Sequence, residues 1–293
     1  MSRSARLAAV LAAVVVVAVL VGAVAVALLA GGDETVAPTP GASAPTTAVA
    51  ADCAPVEPQQ LAVEVVRTLP HDPTAYTQGL LVSDGRLFES TGREGDSTVR
   101  EVDLDTGRVI DSSPLAPDEF GEGLTTTDDG QLVQLTWLSG VAHRWDVDTL
   151  EPRGDARYDG EGWGLSTLDD GTLVMTDGSD VLTLRDPEDF SEVDARTVQR
   201  VGGDADRLNE LEWDGEWLWA NRYQTDELLR IDPECATVTG VADLSALRDD
   251  ATQVANRDGT PIDVANGIAH LPGTDRYLLT GKWWPTMYEV RIS

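Results

Sequence analysis

Residues Glu122–Trp137 read EGLTTTDDGQLVQLTW. Apolar residues alternate with polar ones on either side of Asp129-Gly130, the pattern of two antiparallel strands joined by a tight turn. The same pattern recurs in QGLLVSDGRLFEST (Gln78–Thr91), WGLSTLDDGTLVMTDG (Trp163–Gly178), NELEWDGEWLWANR (Asn209–Arg222) and NGIAHLPGTDRYLLTGK (Asn266–Lys282). Each copy opens on a polar or aromatic residue, usually followed by Gly and then Leu or Ile. Four copies turn on Asp-Gly and the last on Pro-Gly.

A second hairpin follows four of these, in VREVDLDTGRVI (Val99–Ile110), AHRWDVDTLEPRG (Ala142–Gly154), DVLTLRDPEDFSEV (Asp180–Val193) and DELLRIDPECATVTGV (Asp226–Val241). Two hairpins make a four-stranded sheet, and a repeat of roughly 40–45 residues built from such a sheet is a propeller blade. The expected fold class is therefore all-β, a five-bladed β-propeller. The last repeat ends at Ile292 without a fourth strand, while LAVEVVRTL (Leu61–Leu69) is an unpaired strand ahead of the first. Pairing the two would complete the fifth blade and hide both sheet edges. The longest interval between repeats places an insertion at Leu244–Asp263, with one helical turn expected near Asp243–Asp249.

The first 60 residues differ in kind. Leu7–Ala30 contains only Ala, Val, Leu and Gly; as a helix it spans about 36 Å, enough to cross a bilayer. Arg3 and Arg6 precede it, which places the domain outside the cytoplasm. The expected organisation is an N-terminal transmembrane or signal helix (1–30, signal anchor or signal peptide), a flexible Pro/Ala/Thr-rich linker (31–60) and the propeller (61–293). The membrane is a partner only through that helix, and the localisation expected is extracytoplasmic, membrane-anchored or secreted. There, Cys53 and Cys235 are able to form a disulfide stapling the linker to a blade. A formal net charge of −30, from 21 Lys+Arg against 51 Asp+Glu, argues against nucleic acid as a partner. His71, His143 and His270 are scattered without zinc-ligand spacing, so no metal ligands are assigned. A monomer is expected.

The first strand of each blade lines a propeller's axis, so the repeat-opening residues Gln78, Glu122, Trp163, Asn209 and Asn266 converge. Glu122 is the one carboxylate among them, and a carboxylate facing a channel is costly without a partner or a task. The second strands end at the same mouth, which adds Trp137, Arg222, Tyr223 and Lys282. Tyr76 and Phe120 lie two positions before Gln78 and Glu122. Trp213, Trp217 and Trp219 read as core. A pocket of aromatic walls, one carboxylate, one ammonium and several amides suits a small molecule or a chain end.

The strings HDPTAYTQGL, FGEGLT, QLTW, EGWGL, LNELE and TGKWWP, in this order, resemble the plant-type glutaminyl-peptide cyclotransferases and their bacterial relatives. The resemblance covers about Val65 to Ile292. It implies a five-bladed propeller enzyme, a glutaminyl-peptide cyclotransferase that turns the N-terminal Gln of peptides or proteins into pyroglutamate with release of ammonia. It also implies Glu122 and Lys282 as catalytic residues, Glu122 being the general acid/base. The substrate-binding residues implied are Tyr76, Gln78, Phe120, Trp137, Trp163, Asn209 and Tyr223. Tyr76 stands where the family often has Phe, and Tyr223 where plant members tend to have Trp. No cofactor is required; some relatives carry a metal ion in the axial channel, and a structural divalent cation there is something Asn266 and other channel carbonyls suggest but the sequence does not show. Two alternatives stay open on the residues alone. One is a non-catalytic propeller binding peptides or glycans at the same mouth; the other is a glycosidase using Asp177 as partner to Glu122.

Overall fold

The computed structural model describes residues 53–293. The apolar run Leu7–Ala30, and with it the expected membrane or signal helix, lies outside the described residues, as does most of the linker. The chain enters through β1 (Gln59–Leu61) and β2 (Val63–Pro70). Blade 1 holds β3 (Thr77–Ser83), β4 (Arg86–Thr91), β5 (Thr98–Val102) and β6 (Val109–Pro114). Blade 2 holds β7 (Gly121–Thr126), β8 (Gln131–Thr136), β9 (Val141–Asp146) and β10 (Pro152–Arg157). In blade 3 are β11 (Leu165–Thr167), β12 (Leu173–Met175), β13 (Val181–Arg185) and β14 (Glu192–Thr197). Blade 4 has β15 (Leu208–Trp213), β16 (Leu218–Arg222), β17 (Glu227–Asp232) and β18 (Thr237–Asp243). The helix α1 (Ser245–Asp258) leads to blade 5, which runs β19 (Ala265–His270), β20 (Arg276–Gly281) and β21 (Thr286–Ile292).

Blade 5 takes its outer strand from the other end of the domain. β2 pairs antiparallel with β21, from Val63 opposite Ile292 to Pro70 opposite Thr286. Each inner strand packs on the next, and β19 returns against β3 to close the ring. β1 adds a short parallel fifth strand outside β18, so the folded chain already includes Gln59 and Gln60, just before the boundary expected at residue 61. Cys53 and Cys235 are disulfide-bonded, with Cα atoms 5.1 Å apart.

The core is divided as a propeller requires, with one apolar cluster between each pair of neighbouring blades. Leu81, Phe88, Leu132 and Trp145 fill the gap between blades 1 and 2. Leu135, Tyr158, Leu173 and Phe190 fill the next. Blades 3 and 4 meet through Leu184, Leu211, Leu229 and Val238. Trp219, Ile268, Tyr288 and α1 fill the space between blades 4 and 5, and Leu69, Leu87, Leu278 and Met287 join blade 5 to blade 1. Inner strands are therefore buried on both faces, whereas the rim strands β6, β10 and β14 are largely exposed. In the β3–β4 turn, Asp84 and Gly85 both have positive φ (50° and 75°), the twist that a two-residue hairpin demands.

The insertion before blade 5 is a 14-residue helix, more than the single turn expected. Leu247, Ala251 and Ala255 form its buried stripe. Two of these three are alanines among polar residues, so the sequence carries little helical periodicity. Gly259, at φ 70°, ends the helix in the left-handed conformation.

The repeat's second residue is glycine for a packing reason. A Cβ on Gly79 would lie 2.6 Å from the Leu124 nitrogen, one on Gly123 2.5 Å from the Leu165 nitrogen, and one on Gly164 1.9 Å from the Asn209 oxygen. Inner strands touch there, backbone to backbone. Blade 4 has Glu210 instead, and its buried carboxylate accepts the Leu80 and Ile268 N–H groups from blades 1 and 5 at 3.1 and 2.9 Å.

Candidate active site

Four inner strands carry an irregularity at their openings. Register shifts fall between Thr77 and Gly79, Gly121 and Leu124, Leu208 and Leu211, and Ala265 and Ile268. A bulge re-aims the side chains within it. Gln78, Glu122, Asn209 and Asn266 sit within these four. All four are buried.

Above them is a cavity of about 220 Å³. Blade 1 supplies Tyr76 and Gln78, and blade 2 supplies Phe120, Glu122 and Trp137. Blade 3 contributes Trp163, blade 4 Asn209 and Tyr223, and blade 5 Lys282. The structure thus gathers around one cavity the nine residues that the sequence singles out as catalytic or substrate-binding candidates. Asn266 lies beneath, its amide donating to the Thr77 carbonyl at 3.1 Å and to Gln78 Oε1 at 3.3 Å. Gln78 Nε2 in turn donates to Glu122 Oε1 at 3.0 Å.

The aromatic walls rest on glycines. A Cβ on Gly92 would meet the Phe120 ring at 2.1 Å, and one on Gly178 the Trp163 ring at 2.7 Å. Phe120 packs edge-on against both Tyr76 and Trp137, with centroids 5.9 and 5.8 Å apart. Trp163 meets Tyr223 at 5.3 Å, so tyrosine completes that wall. Lys282 Nζ lies 4.8 Å from the Tyr76 ring centre and 5.0 Å from that of Tyr223, a cation seated between two π faces.

Burial dominates the electrostatics. It pushes the Glu122 carboxyl well above the usual carboxylate range; Lys282 opposes that shift and Glu161 adds to it. Burial also brings the Lys282 ammonium down to about 8, against the pull of Glu122 and Asp263. A base and a cation shifted toward neutral pH from opposite sides suit proton transfer there. Asn209 Oδ1 is buried without a hydrogen-bond partner, an acceptor left open toward an incoming donor.

Two residues expected near the mouth are engaged elsewhere. The Arg222 guanidinium bonds Asp206 and Glu227 and does not line the cavity. Asp177 is exposed, accepts from the Ser179 N–H and hydroxyl and does not line the cavity, so it is not placed as the partner to Glu122 that the glycosidase reading names. Trp219 is buried in the core, with Trp217 packed against it and Trp213 against the blade 3–4 cluster. Sequence reasoning passed over Glu161, Asp263 and Trp283. Asp263 Oδ2 accepts from the Tyr76 hydroxyl at 3.3 Å, and Trp283 meets Tyr76 edge-on with ring centres 4.8 Å apart. Glu161 and Trp283 stand inside the strings EGWGL and TGKWWP, while Asp263 is the last residue of the insertion and carries no repeat signal.

The axial channel offers a cation little. Both Glu210 oxygens accept backbone N–H groups, Glu212 accepts from His270 N, and the orphan oxygens of the repeat-opening residues are Asn209 Oδ1 and Asn266 Oδ1. Among the described residues, no group of three or more His, Cys, Asp or Glu is placed to hold a metal.

The family model described as glutamine cyclotransferase matches residues 39–292. The chain belongs to the glutamine cyclotransferase family. A glutaminyl-peptide cyclotransferase from Arabidopsis thaliana is 38% identical over 233 residues, covering 79% of this chain and 71% of the relative. The solved glutaminyl cyclase of Myxococcus xanthus superposes with a TM-score of 0.74 at 38% identity, covering 81% of this chain and 99% of that one. The five-bladed ring is thus shared with an enzyme of known structure, and this cyclotransferase is an enzyme of the same kind.

Proposed function

We propose that this enzyme cyclises the N-terminal glutaminyl residue of peptides or proteins to pyroglutamate, with Glu122 as general base and then general acid. The observation that carries this reading is the buried, proton-attracting Glu122, fixed by Gln78 in an aromatic cavity beside Lys282. The substrate's α-ammonium gives a proton to the Glu122 carboxylate. The freed amine attacks the γ-carboxamide carbon, forming the ring C–N bond and a tetrahedral intermediate with negative charge on oxygen. The Lys282 ammonium or the Asn209 amide stabilises that charge. Glu122 returns the proton to the departing nitrogen as the old C–N bond breaks, and the ring nitrogen gives up its surplus proton to the ammonia, which leaves as ammonium. The walls pack the glutamine methylenes and hold amine and carboxamide in the ring-closing pose.

Ammonia release from a Gln-initiated dipeptide by the purified protein tests the activity. A protein that binds this dipeptide but releases no ammonia is a binding propeller instead. We further propose an extracytoplasmic, monomeric enzyme, tethered through Leu7–Ala30 or secreted after its removal. The Cys53–Cys235 bond supports that compartment, since such bonds persist in oxidising surroundings. Fractionation of native cells into cytoplasm, membrane and medium checks it.

A further inference from the structure

The strand β8 ends at Thr136, and Trp137 follows it; Trp163 precedes β11 in the next blade. Both indole N–H groups donate to one atom. Glu161 Oε2 accepts from Trp137 Nε1 at 2.7 Å and from Trp163 Nε1 at 3.0 Å. The loop bearing Glu161 is itself fixed, because Gly162 N donates to the Trp137 carbonyl at 3.0 Å and Trp163 N to the Thr176 carbonyl at 2.9 Å. Tyr158 holds the same corner through its hydroxyl, bonded to the Thr136 carbonyl. Glu161 has no ion-pair partner, and its second oxygen accepts no hydrogen bond, among the described residues.

We propose that Glu161 is a positioning residue of this active site. One oxygen clamps the two indole walls that adjacent blades contribute, and its unpaired charge sets a negative field at the mouth that receives a cationic peptide N-terminus. The proposal rests, for its second half, on Glu122 being the general base.

A strand-end tryptophan needs such a clamp. Trp137 is 37% exposed, and an indole packed on one side only is free to change rotamer unless its N–H is held. The two tryptophans come from different blades, so a shared acceptor fixes the width of the cavity between them. The charge acts on Glu122 as well. The groups whose charges bear on Glu122 are Lys282 and Glu161, while Tyr76 and Tyr158 feel the charge of Glu122 itself. Lys282 eases ionisation of Glu122, and Glu161 resists it.

Two variants separate clamp from charge. Glu161→Gln keeps an amide oxygen able to accept from both indoles but removes the charge; Glu161→Ala removes both. With a Gln-initiated dipeptide amide as substrate, Glu161→Ala raises KM about tenfold, the effect of losing a hydrogen bond to a charged group, and alters the near-ultraviolet circular dichroism of the tryptophans. Glu161→Gln keeps the wild-type dichroism and moves the acid limb of the kcat profile to lower pH. Wild-type KM and dichroism in Glu161→Ala overturn the clamp. An unmoved acid limb in Glu161→Gln, with the limb lost in Glu122→Gln, overturns the field. Retention of the limb in Glu122→Gln overturns the general-base reading alone, and KM and dichroism still decide the clamp. Should Glu161→Ala fold poorly, Trp137→Phe and Trp163→Phe in wild-type and Glu161→Gln backgrounds read the same coupling, and additive effects on KM count against it.

Discussion

Gln78 Nε2 donates to Glu122 Oε1 at 3.0 Å, and Gln78 Oε1 is met in turn by the Asn266 amide. This chain orients one carboxylate oxygen and leaves the other for the substrate. Glu122→Gln keeps size and hydrogen-bonding capacity but takes no proton. General acid–base catalysis typically contributes about 10²–10⁴-fold, so kcat falls by at least roughly 100-fold with the thermal midpoint nearly unchanged. The low-pH limb of the wild-type kcat profile vanishes from the residual activity. Near-normal kcat with that limb intact would remove Glu122 from the mechanism.

Lys282 ionises near pH 8 because burial disfavours its charge. If its ammonium stabilises the oxyanion, kcat declines on the alkaline side as that proton is lost. Lys282→Met lowers kcat and abolishes this alkaline decline while leaving the acid limb in place. Stopped-time ammonia assays across pH 5 to about 10 show the difference. An unaltered alkaline decline in Lys282→Met assigns it to another group.

Glu212 is buried and accepts the His270 N–H at 2.6 Å. Burial raises its pKa to about 8 in the folded protein, against about 4.3 in an unfolded chain. The folded state therefore holds the proton more tightly. The stability this gives is complete below about pH 4.3 and is lost as pH rises through 8. Glu212→Gln should flatten the fall in thermal midpoint between about pH 4.3 and 8. Parallel midpoint-against-pH curves for variant and wild type would exclude Glu212 as the group responsible.

The Cys53–Cys235 bond closes a loop with a sequence separation of 182, and β1 lies just inside it. Breaking such a crosslink costs about 2–4 kcal/mol, less where the folded state is strained. A fragment spanning residues 53–293 is expected to be folded and soluble. A fragment spanning 61–293 loses the bond and most of β1, and is expected to melt lower but still to fold, since no blade strand has been cut. Equal midpoints for the two fragments would mean that the linker end adds nothing to stability.

The ring was legible because its signals are local. Asp-Gly turns mark the hairpins, and the glycine after each opening residue marks where inner strands touch. Even the exception was visible: Asn209 is followed by Glu210, the residue whose carboxylate ties three blades together. Tyr76, Trp137 and Lys282 were found because strand ends repeat. Glu161 holds the place two before Trp163 that Tyr76 and Phe120 hold in their repeats, but its bond to Trp137 is made only by folding; Asp263 carries no repeat signal, and only folding brings it beside Tyr76. The helix α1 hid for a similar reason, since a stripe of one leucine and two alanines hardly differs from a polar loop. Arg222 stands at a strand end like the residues around it, but neighbouring carboxylates turn it away, which periodicity does not encode.

The pairing of β2 with β21 also orders events in time. On a ribosome β2 emerges before any blade, and its partner follows all the others. Until then β2 waits as an open edge, and the four finished blades form an arc with two unsatisfied ends. A nascent chain stalled inside β21 is thus not a slightly shorter enzyme. It is a ring that never shuts, with Lys282 already made but its blade still open, and with two strand edges left unpaired.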